Sequence, residues 1–477
     1  MKLRIVALLA VAAASYLGVY AMAPNAPPAI AKNMMRTPPP QTAPAKHETI
    51  LPGVETHGCH ATFRERFDLA AASGGPLRLE SISCSALTGV SSSHGVPSPD
   101  GERLVRWSSD RGHAIQVAGS TGGQLLEFPN RITFQNFGAG LYGALPESLA
   151  WARDSEALWT VRQDVVHPSG FSLGGLQPIR LTLDGTVRAL PALSGPGRLD
   201  AIQWVGADGL ALAQFSTRGN YYRPEQIDAE PTLAIADMTR GRVRDRVRIK
   251  TLAPLRQRAE VGAFRVVGAT ATVLPDGRVH AVVEISPWGQ RPAGTPAGAD
   301  FRPIIHPPML LVWTEGDAPR LRRLDSPSRP ATPMMLSPDG SRLLRLRPLE
   351  SQNLGQCRRI PCQTIAPPPV PVEGDFAELV DPASGRSLWR LQGQVSGPWG
   401  NRAAPAISPD GQLALLDLPP DDRREWIGLV RIRDGRVLHR FSVTQVGSYP
   451  KGFGFSPDGR RVWVTVAGSL YRYRLAV

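Results

Sequence analysis

Gly170-Phe171-Ser172-Leu173-Gly174 carries a serine in the Gly-x-Ser-x-Gly spacing of a nucleophile elbow. That chemistry needs the serine on a sharp strand-to-helix turn, with a histidine and an acid converging on it. His167 is close in sequence, but Leu176 to Leu183 reads as a strand and no partnering acid can be assigned. Glycines in a loop account for the match, and hydrolysis through Ser172 is not expected. His57-Gly58-Cys59-His60 groups metal-ligand types, yet a metal needs three or four converging donors and no second cluster lies nearby. No Cys-x-x-Cys-His run offers haem attachment, and no Gly-rich phosphate loop occurs. No cofactor and no metal are therefore expected. His94, His113, His280 and His439 are scattered singly, which suits packing better than ligation.

The element that must position any site is a short turn that recurs. Ser-Pro-Asp-Gly stands at Ser98–Gly101, Ser337–Gly340, Ser408–Gly411 and Ser456–Gly459, with looser copies at Leu274–Gly277 and Ala207–Gly209. Each lies between two apolar, β-prone segments, as with Gly452–Phe455 and Val462–Val466. Proline presets the first corner, aspartate bonds the backbone two residues on, and glycine takes positive φ at no steric cost. This is a hairpin turn, and its repetition indicates a repeat fold. A second polar turn follows at Leu183-Asp184-Gly185, Met238–Gly241, Asp381–Gly385 and Arg433-Asp434-Gly435. The unit is then strand a, turn, strand b, loop, strand c, turn, strand d, which is a propeller blade.

Units are expected over about 94–129, 146–190, 197–250, 264–324, 332–392, 402–443 and 449–477. The last has only three strands. The segment Pro76–Ile82 supplies the fourth, so the N- and C-terminal strands would close the ring in one sheet. The fold class is thus all-β, a propeller of seven four-stranded blades, with six or eight left open. The turn repeat, usually followed by arginine (Arg103, Arg342, Arg461; Leu413 in the third copy), resembles that of TolB-type and WD40-like repeat propellers over 76–477. The resemblance implies the fold; propellers of this kind serve as scaffolds, lids and enzymes alike.

In this frame the a–b and c–d turns share one face and are short. The b–c connections, about 216–230, 287–307, 349–374 and 417–425, are long and share the other. They carry Tyr221, Tyr222, Arg223, Trp288, Arg291, His306, Arg358 and Arg359, and the d–a side adds Tyr142, Trp399 and Tyr449. Aromatics with arginine are the mix of recognition surfaces, though the same residues could simply pack the loops onto the ring. Acids near the starts of strand a, as a channel metal would need, are few: Glu147, Asp200 and, farther out, Glu260.

Met1-Lys2-Leu3-Arg4 is basic and Ile5–Ala23 apolar, so 1–23 reads as a secretory signal or an uncleaved anchor. Residues 24–57 form a Pro-rich tether expected to be disordered, and 58–477 the propeller. A periplasmic or secreted location follows, with inner-membrane tethering if the segment is retained. Export and an even count make disulfides of Cys59, Cys84, Cys357 and Cys362, with Cys59–Cys84 and Cys357–Cys362 as the sequence-local pairing. The net charge of +13 permits attraction to a polyanion or a membrane surface, while export disfavours nucleic acid. Arg240, Arg242, Arg244, Arg246, Arg248 and Lys250 alternate with Val243, Asp245, Val247 and Ile249, as on a charged outer edge strand. The leading expectation is a non-enzymatic binding or scaffold propeller of the bacterial envelope with a protein, peptide or polyanionic ligand. The alternative is a propeller enzyme, lactonase-like or quinoprotein-like, with its site at the central channel.

Overall fold

In the computed structural model every blade proposed from the turn repeats is present as a four-stranded antiparallel sheet. The structure describes residues 54–57, 75–83, 96–108, 114–119, 124–129, 149–162, 176–216, 231–252, 261–289, 307–325, 333–346, 372–395, 404–419, 424–445, 451–466 and 469–476. Blade I comprises Val96–Pro97, Arg103–Ser108, Ala114–Gly119 and Gln124–Pro129 as strands a to d. Blade II comprises Ala150–Trp151, Ala157–Arg162, Gln177–Thr182 and Val187–Ala189. Blade III is Arg198–Val205, Leu210–Ser216, Thr232–Asp237 and Arg242–Arg248. Blade IV is Val261–Val273, Val279–Gly289, Met309–Thr314 and Arg320–Arg323. Blade V is Met334–Leu336, Leu343–Leu346, Val372–Asp381 and Arg386–Val395. Blade VI is Ala406–Ile407, Leu413–Leu418, Arg424–Arg431 and Val437–Gln445. Blade VII is Lys451–Phe455, Arg461–Val466 and Ser469–Leu475, with Leu77–Ser83 as its strand d.

That last pairing closes the ring. Leu77–Ser83 lies antiparallel to Ser469–Leu475, with Leu77 opposite Leu475 and Ser83 opposite Leu470. The innermost strands of blades III to VII and I touch in succession, and one apolar cluster joins blades I, II and III. Seven blades therefore form the circle, with neither six nor eight required. Glu55–His57 adds a fifth, outermost strand, parallel to Ser81–Ser83. These three residues stood at the end of the expected tether. Pairing satisfies the backbone groups that face strand d and shields part of that strand's edge.

The core is a chain of clusters between blades. Val282, Leu310, Met334, Leu343 and Val380 join blades IV and V; Leu346, Leu379, Leu416 and Val430 join V and VI. Inner strands are covered on both faces by neighbouring blades, so Thr232–Asp237 is buried through Ala236 and Leu343–Leu346 throughout. Outer strands keep one wet face. Arg242–Arg248 has exposed arginines alternating with less exposed Val243, Asp245 and Val247, the edge-strand reading of that basic run.

The four Ser-Pro-Asp-Gly turns share one hydrogen-bond pattern. Each serine is buried, and each glycine has φ between 69° and 72°. In the second copy the Ser337 amide donates to Arg342 O at 2.8 Å, and the Gly340 amide to Ser337 O at 2.9 Å. The Ser337 hydroxyl accepts from the Arg342 amide at 2.9 Å and donates to Asp339 at 2.5 Å, while Asp339 accepts from the Ser341 amide at 3.0 Å. In blade II the same turn runs Ala152-Arg153-Asp154-Ser155, and Ser155 takes the glycine's left-handed conformation at φ 58°.

Candidate recognition face

Antiparallel pairing through each blade puts both hairpin turns at one end of the ring and the b–c and d–a connections at the other. At the hairpin end the chain passes from strand a to strand b within the bonded turn just described. At the other end strands b and c are joined by 163–176 in blade II, 217–231 in III, 290–308 in IV and 347–371 in V. The d–a link from blade I to II runs 130–149. The elaboration is concentrated on that end.

Two of the expected long connections are shorter. Val279–Gly289 continues as strand through Trp288, which pairs with Ala263, so Trp288 belongs to strand b of blade IV and not to a loop. Its strand partner on the other side, Met309–Thr314, pairs only as far as Ile285. Beyond that point Pro287 stands in an edge position, where a missing N–H is tolerated. In blade VI, Asp417 and Leu418 end strand b and Arg424 and Glu425 begin strand c, so the connection is only 419–423. Tyr142, Tyr221, Tyr222, Arg223, Arg291, His306, Arg358, Arg359, Trp399 and Tyr449 lie outside the described residues, as do Cys59, Cys84, Cys357 and Cys362. The same is true of His167, Ser172, Glu147 and Glu260. Strand c of blade II begins at Gln177, so a strand and not a helix follows the Ser172 segment. Asp200 is on strand a of blade III. Among the described residues, no three His, Cys, Asp or Glu converge as a metal site.

The two described lone histidines pack. His280 is half-buried, shares a 2.8 Å hydrogen bond with the Thr314 hydroxyl, and lies beneath Gly340 of the next blade. His439 stacks on Phe441 at 5.9 Å and lies beneath Gly75. Burial lowers the pKa of both, favouring the neutral ring.

Sequence reasoning missed a buried ionic cluster. Arg345, fully buried on strand b of blade V, reaches Glu284 of blade IV at 2.8 Å and Glu378 of its own blade at 2.9 Å. Glu284 and Glu378 are 0% and 1% exposed. Arg390 adds a contact to Glu378 at 3.4 Å. The available signal was one charge inside Leu343-Leu344-Arg345-Leu346. Two carboxylates held by one guanidinium across a junction fix how blades IV and V meet, since a buried ion needs its partner.

Comparison with known protein families finds no family model that matches this chain, and comparison with curated proteins finds no match.

Proposed function

We propose that this chain is an exported propeller of the bacterial envelope that works by binding, not catalysis. Its ligand is a protein, peptide or polyanion, met at the end of the ring where strands b and c are joined. The asymmetry between the two ends carries this reading. Hairpins at one end leave only about four to six residues between strands, whereas 217–231, 290–308 and 347–371 lengthen the other. Long connections on a rigid scaffold are where recognition concentrates. The composition there, with Tyr221, Tyr222, Arg223, Arg291 and Arg358, favours contact with a partner. The likeness of the turns to TolB-type propellers and the basic-then-apolar N-terminus accord with an envelope location.

The test is a pull-down from envelope extract with the wild-type chain and a Tyr222→Ala, Trp288→Ala, Trp399→Ala variant. Arg153→Ala at the hairpin end is the control. Loss of partners in the triple variant alone supports the reading; an unchanged partner set removes this end from consideration. Cell fractionation with N-terminal sequencing checks export separately.

A further inference from the structure

The same tryptophan–arginine pair occurs at two junctions of the ring. In blade II, Trp159 on strand b stands opposite Arg180 on strand c; in blade VII, Trp463 stands opposite Arg472. Each guanidinium covers its indole, at 5.7 Å and 5.4 Å from the ring centre. Each indole reaches under the a–b turn of the next blade, Trp159 at Gly209 and Trp463 at Gly101.

The two pairs differ in what their donors meet. Trp159 Nε1 donates to Ala207 O at 2.9 Å, and Arg180 pairs with Asp154 at 3.2 Å. At the VII–I junction, Trp463 Nε1 and Arg472 Nε and Nη2 are buried and have no acceptor among the described residues. The remaining nitrogen, Arg472 Nη1, stands 3.7 Å from Glu102. Burial lowers the Arg472 pKa, so its charge is held against a desolvation penalty.

Nε–H and Nη2–H form one edge of the guanidinium, spaced to fit two oxygens of a carboxylate or phosphate. Elsewhere in this chain that edge does so: Arg153 grips Asp208 at 3.2 Å and 2.6 Å, and Arg431 grips Asp434 at 3.0 Å and 2.5 Å. Beside Arg472 lies a cavity of about 380 Å³. Arg78, Arg461, Arg472 and Arg474 line it against Glu55, Glu80 and Glu102. Glu80 is shared by Arg474 at 2.6 Å and Arg461 at 3.5 Å, and Glu55 lies 3.6 Å from His57. Arg78 makes no ion pair among the described residues. Among the described residues, the buried apolar cluster at this junction is Leu104, Trp463 and Leu470.

We propose that the crevice between blades VII and I binds a small oxyanion, a carboxylate or phosphate group, gripped by the Nε–Nη2 edge of Arg472 with Trp463 Nε1 and Arg78 as further donors. The crevice is at the hairpin end, away from the face assigned above, so the two readings stand or fall separately. Titration calorimetry on the full chain, at fixed ionic strength, uses inorganic phosphate in one arm and succinate in the other. Saturable one-site binding is expected in at least one arm; phosphate alone identifies a phosphoryl source, succinate a carboxylate source. Arg472→Lys, which keeps the charge and loses the edge, weakens binding at least about tenfold, the expected loss of a bidentate charge-assisted pair. Arg180→Met at the equivalent pair leaves it unchanged. Should Arg472→Lys fail to fold, Arg78→Glu on the exposed rim weakens binding and Glu102→Gln tightens it. No saturable binding in either arm, or equal binding by wild type, Arg472→Lys and Arg78→Glu, overturns the proposal.

Discussion

The serine of each Ser-Pro-Asp-Gly turn does more than suit a bend. Its hydroxyl sits between a backbone amide and the turn aspartate, so removal orphans a donor that water reaches poorly. Ser337→Ala strands the Arg342 amide and frees Asp339 from its 2.5 Å partner. A loss of about 1–2 kcal/mol is expected, read from the urea midpoint. The turn carboxylates also add to the pH dependence of stability. The Arg431 guanidinium, with the Arg436 amide, holds Asp434 down to about 2. Likewise the Ser456 hydroxyl lowers Asp458. A group acidified by folding stabilises the fold above its unfolded value near 4, and that contribution disappears as pH falls through the folded value. Asp434→Asn should therefore narrow the difference in melting temperature between pH 5 and pH 2 relative to wild type. An equal difference in both proteins would show that Asp434 is no better paired in the ring than in the unfolded chain.

At the scale of the blade, the glycines of these turns are not equivalent. Gly411, at φ 70°, has open space where a Cβ would stand; at Gly101, φ 72°, a Cβ would lie 1.9 Å from the Trp463 ring. Gly411→Ala then carries only the left-handed penalty of about 1–2 kcal/mol. Gly101→Ala carries that and must also displace a buried indole, so its urea midpoint falls further. This contrast explains what was legible beforehand. Proline, aspartate and glycine act within four residues, so the turns, and through them the blades, could be read from one sequence. A three-stranded remainder at the C-terminus similarly demanded Leu77–Ser83. Ser155 in a glycine's conformation, Trp463 beneath Gly101 and Glu284 beside Arg345 are settled by neighbours some fifty or more positions away, and no local period announces them. At the end of the ring with the long b–c connections the composition was readable, but strand length was not. Trp288 lies in strand because the hairpin arms of blade IV run past Pro287.

For the whole ring, the junctions and the closure decide stability together. Blades IV and V are fixed by the Arg345 cluster. Arg345→Met takes from the buried Glu284 and Glu378 the guanidinium they share, a cost of about 3–5 kcal/mol. Converting Glu284, Arg345 and Glu378 to Met together should stand closer to wild type, because burial of charge is then removed along with its compensation. Closure is the other condition. Without Leu77–Ser83, the strand Ser469–Leu475 becomes an open edge, and buried Leu79 and Ile82 no longer cover Tyr471 and Tyr473. An edge of that length and polarity pairs with other chains. A chain beginning at residue 54 should thus keep the cooperative urea transition of the full sequence. One beginning at residue 84 should unfold at lower urea, lose cooperativity and aggregate. A synthetic peptide of residues 75–83 added to the shorter chain should restore the transition in proportion to its concentration, since strand d then binds as a ligand to the native ring. If the chain from residue 84 melts like the full protein without peptide, the two termini do not hold the circle shut.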